Sequence, residues 1–156
     1  MKKLILTTLL GATVCGSAMA ERWYLFGADK KELTFANLSS IECNDGVCSL
    51  WVGQVNVDKT KKHDSIMVYY DVKCKSKEFR APYLALYLKG KVIDSSSLKN
   101  AEYSPIIPGS KGQTMLALAC GKEDIQENLI MEKSFLTEVP ELQKIMRSKD
   151  FQSAFK

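Results

Sequence analysis

The chain has 156 residues, 46% of them hydrophobic, with 22 basic and 18 acidic side chains and a net charge of +4. That length suits one domain, and so modest a charge gives no support to a nucleic-acid partner. After the first twenty residues, no apolar run approaches the roughly 20 residues that a membrane-spanning helix needs.

Met1, Lys2 and Lys3 lead into an apolar stretch containing Leu4, Ile5, Leu6, Leu9 and Leu10, which closes at Ala18-Met19-Ala20. A positive start, a short apolar segment and a small-x-small end predict a signal peptide over residues 1–20 and an exported product, in the periplasm or on the outer surface. Cys15 is a candidate lipidation site, because bacterial lipoproteins acylate a cysteine at such a place. Val14 before it is bulkier than the small residue those sites carry. Cleavage after Ala20 is therefore the expectation, with lipidation at Cys15 the alternative and the only route to a membrane. Removing residues 1–20 takes away Lys2 and Lys3 but no acid, which leaves 136 residues and a net charge of +2.

The mature chain then holds four cysteines, Cys43, Cys48, Cys74 and Cys120. An even count in an oxidising compartment predicts disulfides. Arg22 to Phe26, Leu33 to Phe35 and Leu38 to Cys43 are predicted strands. Cys43 and Cys48 flank Asn44-Asp45-Gly46-Val47, and Asp-Gly is a strong hairpin signal that would set the two sulfurs face to face. Cys74 is then left for Cys120. In the loop-closure picture the short bridge contributes about 2 kcal/mol and the long one about 4. A four-cysteine zinc site is the rival, disfavoured by export and by the lack of paired CxxC spacing. No metal or cofactor is expected.

Val47 to Val55 is a longer strand, followed by the polar loop Asp58 to Asp64 with Lys59, Lys61, Lys62 and His63. Ser65 to Lys75 alternates clearly. Ile66, Val68, Tyr70, Val72 and Cys74 form a buried face, and Met67, Tyr69, Asp71, Lys73 and Lys75 form the open one. Phe79 to Leu88 is apolar on both faces, with Phe79, Ala81, Tyr83, Ala85 and Tyr87 opposite Leu84, Leu86 and Leu88, which predicts cover on both sides. Pro82 lacks an amide donor and predicts an edge position or a bulge. Leu84, Leu86 and Leu88 are expected to lie under the C-terminal tail, the alternative being a homodimer seam.

Lys89-Gly90-Lys91 turns into Val92-Ile93, and a serine-rich loop leads to Pro105-Ile106-Ile107-Pro108-Gly109. A helix is predicted from there. Ser110 is its N-cap, Gln113 the reciprocal capping residue, Met115, Leu116 and Ala119 its apolar stripe, and Gly121 its stop, with Cys120 turned towards Cys74. In the tail, Ile125, Leu129, Phe135 and Leu136 suggest one amphipathic piece. Leu142, Ile145 and Met146 suggest another that starts at Pro140. The predicted fold is α+β, an antiparallel sheet of about six strands with a helix disulfide-linked to it. The expected divisions are a domain over 21–121 and a helical C-terminal extension over 122–156.

Trp23, VCSLW (Val47–Trp51), YYDVKCKSKEFR (Tyr69–Arg80), YLALYLKGKV (Tyr83–Val92) and SPIIPGSKGQTMLALAC (Ser104–Cys120) follow one another in an order that resembles the surface-adhesin protein E family of Gram-negative bacteria. The resemblance covers about residues 22–121. It implies an antiparallel sheet with a disulfide-linked helix, often as a dimer, and a role in binding host matrix and plasma proteins. Asn37, Tyr103 and the hairpin cysteines depart from the pattern, which weakens any transfer of ligand specificity.

No catalytic set accompanies this. His63 stands among lysines with no nucleophile or metal-binding pattern near it, no paired carboxylates stand out, and no enzyme activity is expected. Two basic clusters remain, Lys59, Lys61 and Lys62, and Lys73, Lys75, Lys77 and Arg80, with Tyr69 beside the second. A basic patch with an aromatic suits a protein or polyanionic surface ligand, and the plain alternative is a solvated face with edge lysines. The leading expectation is an adhesin-like binding module. The alternative is a soluble periplasmic structural or accessory protein that binds an envelope partner.

Overall fold

The computed structural model describes residues 20–58, 61–98, 100–121 and 124–155. Residues 1–19 of the expected signal peptide, Cys15 among them, and Lys59 lie outside the described residues. Strands β1 (Trp23–Ala28), β2 (Glu32–Asn37), β3 (Glu42–Asn44), β4 (Val47–Asn56), β5 (Ser65–Lys73), β6 (Glu78–Leu88), β7 (Lys91–Ser97), β8 (Ser104–Pro105) and β9 (Ile130–Met131) form one antiparallel sheet. Helices α1 (Lys111–Ala119), α2 (Phe135–Met146) and α3 (Lys149–Ser153) complete an α+β fold. Among the described residues no helix is long and apolar enough to cross a membrane.

Among the described residues nine strands stand where about six were expected, because very short β9 ends the main path β7-β6-β5-β4-β2-β1-β9 and short β3 and β8 pair onto β4 and β6 beside it. Leu38 to Cys43 is not one strand. Leu38–Ser40 is a turn of 3-10 helix, started by Asn37, whose side-chain oxygen accepts from the Ser39 amide at 3.0 Å. The β3–β4 hairpin closes as its residues demand. Asp45 (φ 50°) and Gly46 (φ 79°) both take the left-handed backbone of a type I′ turn, and so set Cys43 opposite Cys48. Cys43 is bonded to Cys48, and Cys74 to Cys120. The sulfurs of Cys48, Cys74 and Cys120 gather within 4.8 Å, but every one is tied into a disulfide, so none offers the thiolate that zinc needs.

Each face of the sheet carries its own core. On one, Tyr24, Ala36, Leu50, Val52 and Val72 bury against Met115, Leu118 and Ala119 of α1. Ser110 is the residue before α1, as expected, yet its hydroxyl donates to Ile107 O at 2.6 Å and does not cap the helix. The Gln113 side chain accepts instead from the Gly109 amide at 2.6 Å, one residue earlier than a capping box requires. Gly121 follows the helix with φ 66°.

The opposite face is covered by the tail. Phe135, Val139 and Met146 of α2 pack on Trp23, Leu33, Phe35 and Val55. This corrects three expectations. Residues 127–131 are a short 3-10 turn followed by β9, which pairs with β1, and no helix joins Leu129 to Phe135. The helix then begins at Phe135, with Pro140 inside it. Pro140 cannot donate to the carbonyl four residues back; burial of Phe135 and Val139 before it and of Met146 after it holds the helix on the sheet across that break. Thirdly, the tail lies over β1, β2 and β4 and leaves Leu84, Leu86 and Leu88 in neither packed cluster.

β6 is an interior strand, flanked by β5 and β7, so Pro82 is not at an edge. It sits in a bulge, where Tyr69 faces Tyr83 but Asp71 faces Arg80. The extra residue corrects the expected strand phase: Phe79 pairs with Val72 of the α1 face, whereas Tyr83 pairs with Tyr69 on the other.

Candidate functional site

Beyond the start of α2, where Phe135 sits on Gly53, the tail-covered side of the sheet stays open over the far halves of β4, β5 and β6. Alternation along β4 puts Ser49 and Trp51 there, and register sets them opposite Asp71 and Tyr69 of β5. The Pro82 bulge brings Tyr83 and Arg80 of β6 to the same face. Trp51, Tyr69 and Tyr83 form a half-buried aromatic group, with ring centres 5.1 Å apart for Trp51 and Tyr69 and 5.7 Å for Trp51 and Tyr83.

A polar group adjoins these rings. Asp71, nearly buried, accepts from the Ser49 hydroxyl at 2.7 Å and from Arg80 at 2.8 Å. Lys73 and Arg80 both rest on the ring of Tyr103, the Lys73 ammonium 3.7 Å and the Arg80 guanidinium carbon 4.8 Å from its centre. Such cation–π contacts hold long side chains in place while leaving their charge at the surface. Lys73 also pairs with Glu78 at 3.4 Å, and the Ser76 hydroxyl donates to the same carboxylate oxygen at 2.7 Å.

These partners shift two groups. The Asp71 hydrogen bond holds the Arg80 guanidinium above its ordinary value. The Ser76 hydroxyl first, and the Lys73 charge after it, keep the Glu78 carboxyl below its usual range, against a smaller opposing effect of desolvation. A lowered carboxyl pKa means that the interaction is present above the unfolded value and lost as pH falls through the folded one. Ser76→Ala should therefore raise the Glu78 pKa towards that of a free glutamate, which a carboxyl-carbon NMR titration reads directly. An unmoved Glu78 would show that Ser76 is not the cause.

The two basic clusters read from the sequence do not meet. Lys73, Lys75, Lys77 and Arg80 gather at the β5–β6 turn, with Lys75 and Lys77 exposed. Lys61 and Lys62 lie before the start of β5, so the length of that strand, about 26 Å, separates the groups. Tyr69 belongs with the first group through Trp51. Trp51, Tyr83, Asp71 and Tyr103 were missed as site residues. Alternation in Val47 to Val55 pairs Trp51 with Ser49 on one face and could have raised it, but nothing local signals where Tyr103 lands.

A family model described as surface-adhesin protein E matches residues 23–121. The match ends before β9, α2 and α3. No curated protein and no solved structure matches the chain.

Proposed function

The chain belongs to the surface-adhesin protein E family, and on that footing we propose that it is an exported, non-enzymatic binding protein of the bacterial surface. Its contact face is the open end of β4, β5 and β6, and its ligands are acidic stretches of host matrix and plasma proteins. The observation that carries this reading is the double packing of Lys73 and Arg80 on Tyr103 beside the Trp51–Tyr69–Tyr83 group. Rings and held cations on an open face, with Trp51 against the margin of the tail-covered core, resemble the aromatic and arginine anchors that dominate protein interfaces.

Asp71 and Glu78 already neutralise Arg80 and Lys73. Lys75 and Lys77 make no ion pair among the described residues and supply the long-range attraction for an acidic partner. Reversing both charges, Lys75→Glu with Lys77→Glu, should weaken binding to a matrix-coated surface by about tenfold, equivalent to about 1.4 kcal/mol. The variant's binding should also depend less steeply on salt. Full binding by the double variant would remove this face from the proposal. A protein that added protease cannot reach on intact cells would remove the surface role and favour a periplasmic partner.

A further inference from the structure

The two disulfides meet where the β3–β4 hairpin, the end of β5 and the end of α1 come together. Cys43 is bonded to Cys48 and Cys74 to Cys120, yet the sulfurs of Cys48 and Cys74 stand only 3.6 Å apart. Cys43 belongs to the same group, its sulfur 3.7 Å from the carbonyl oxygen of Ala119, the residue before Cys120. The order of contact is Cys43, Cys48, Cys74, Cys120. The first two are bonded, the last two are bonded, and the middle two touch without a bond. Cys43, at one end of this series, is exposed, and Cys120, at the other, is half-buried, whereas Cys48 inside it is 4% exposed.

We propose that Cys43 is the entry point of a thiol–disulfide relay, through which a dithiol outside the protein releases Cys120 and so unties α1 from the sheet. Exchange begins when a thiolate attacks one sulfur of a bridge and the other sulfur leaves as a thiolate. A thiolate arriving from solvent meets Cys43 first. Its attack forms a mixed disulfide on Cys43 and expels Cys48. A thiolate at buried Cys48 is poorly solvated, and the disulfide sulfur nearest to it is Cys74. Freed of Cys43, Cys48 turns about its Cα–Cβ bond to close the 3.6 Å gap to a bond of about 2.05 Å, in line with the bridge beyond. Cys74 stands one residue past the end of β5, in the turn, which eases the approach. The Cys48–Cys74 bond forms, the Cys74–Cys120 bond breaks, and Cys120 leaves as the thiolate, more open to water than Cys48. The second thiol of the dithiol then attacks the mixed disulfide and releases Cys43.

The balance is two electrons and two protons. The dithiol is oxidised to its own disulfide, and the protein keeps one bridge, Cys48–Cys74, with Cys43 and Cys120 as thiols. The staple at Cys74 thus passes from α1 to β4. α1 keeps its packing through Met115, Leu118 and Ala119 but loses its covalent tie. Entry at Cys120 gives the same product, since Cys74 expelled there attacks Cys48 and displaces Cys43. The inference rests on the four sulfurs alone and stands or falls apart from the contact face proposed above.

The test is partial reduction, without denaturant, of the protein from Glu21 onward, which lacks Cys15. A limiting amount of dithiothreitol is added at mildly alkaline pH. Free thiols are then capped with N-ethylmaleimide, and the caps are located by peptide mass mapping. The main double-capped species should carry its labels on Cys43 and Cys120 and retain a Cys48–Cys74 bridge. Labels on Cys43 and Cys48, with Cys74–Cys120 intact, would mean two independent bridges and overturn the proposal. Labels on Cys74 and Cys120, with the hairpin bridge intact, would overturn it equally. Cys43→Ser enters the relay at its second step, with Cys48 free beside the Cys74–Cys120 bridge. Without any reductant its single label should fall mainly on Cys120, and a label on Cys48 would again overturn the proposal. Repeating the reduction in urea should scatter the labels, because contact in the fold selects the product. The same product in urea would assign it to closeness along the chain and remove the relay.

Discussion

Replacing Cys74 and Cys120 together by alanine is expected to lower the stability of the protein by about 4 kcal/mol. That bridge ties the end of β5 to the end of α1 across a sequence separation of 46. Without it the unfolded chain regains the freedom of the whole loop. The Cys43–Cys48 bridge spans a separation of 5, inside a hairpin that its turn already closes, and its removal should cost about 2 kcal/mol. Urea unfolding of the two double variants gives the comparison. A larger loss from the hairpin pair would mean that loop closure does not rank these bridges. Double replacement matters here, because Cys48 and Cys74 bring their sulfurs within 3.6 Å. Cys120→Ala alone would leave a Cys74 thiol beside the other disulfide. Its thiolate could displace Cys43 from Cys48, which would form a Cys48–Cys74 bond and release Cys43 as a thiol.

Phe135→Ala should have an effect of the same size, a loss of about 3–5 kcal/mol. Phe135 is 1% exposed, with its ring centre 4.8 Å from that of Trp23 and 5.8 Å from that of Phe35. It lies directly on Gly53 of β4, where an added Cβ would come within 2.6 Å of the ring. Gly53 thus serves close approach, and Gly53→Ala should itself destabilise by about 1–3 kcal/mol through overpacking. Combining the two changes should cost less than their sum, since the alanine at 53 then has no ring to meet. Hydrogen exchange should show protection falling in α2 before it falls in β4 and β5. Strict additivity, or equal loss of protection in α2 and β5, would show that Phe135 is not the anchor of the tail.

The same contact also positions the end of the tail. α2 brings Gln143 to Asn56 and Arg147 to the β4–β5 loop. A tail loosened by Phe135→Ala would therefore disturb these two while leaving Lys73, Arg80 and Tyr103 in place at the opposite end. The proposed contact face draws its residues only from β4, β5, β6 and the Tyr103 loop, all within the family match.

Several features were settled by the amino-acid sequence alone, and all are short-range. Asp45-Gly46 dictates a type I′ hairpin because both positions need left-handed backbone, and that turn sets Cys43 beside Cys48. The alternation of Ser65 to Lys75 placed Val72 on the α1 side and Tyr69, Asp71 and Lys73 on the other. Gly121 marked the end of α1. Tertiary structure alone decided the rest. Pro82 signalled an edge or a bulge, but pairing with β5 chose the bulge, and only that pairing sends Tyr83 and Phe79 to opposite faces. Pro140 looked like a helix start, but burying Phe135 on Gly53 outweighed the lost hydrogen bond and drew the helix through it. Tyr103 met Lys73 and Arg80, and Arg147 reached the loop of Lys61 and His63, only through contacts made once the sheet and tail had packed. Turn and alternation signals act within a few residues and survive in any context. The face that a strand or helix presents is chosen by partners distant in the chain, and that choice brought Tyr103 to Lys73 and Arg80.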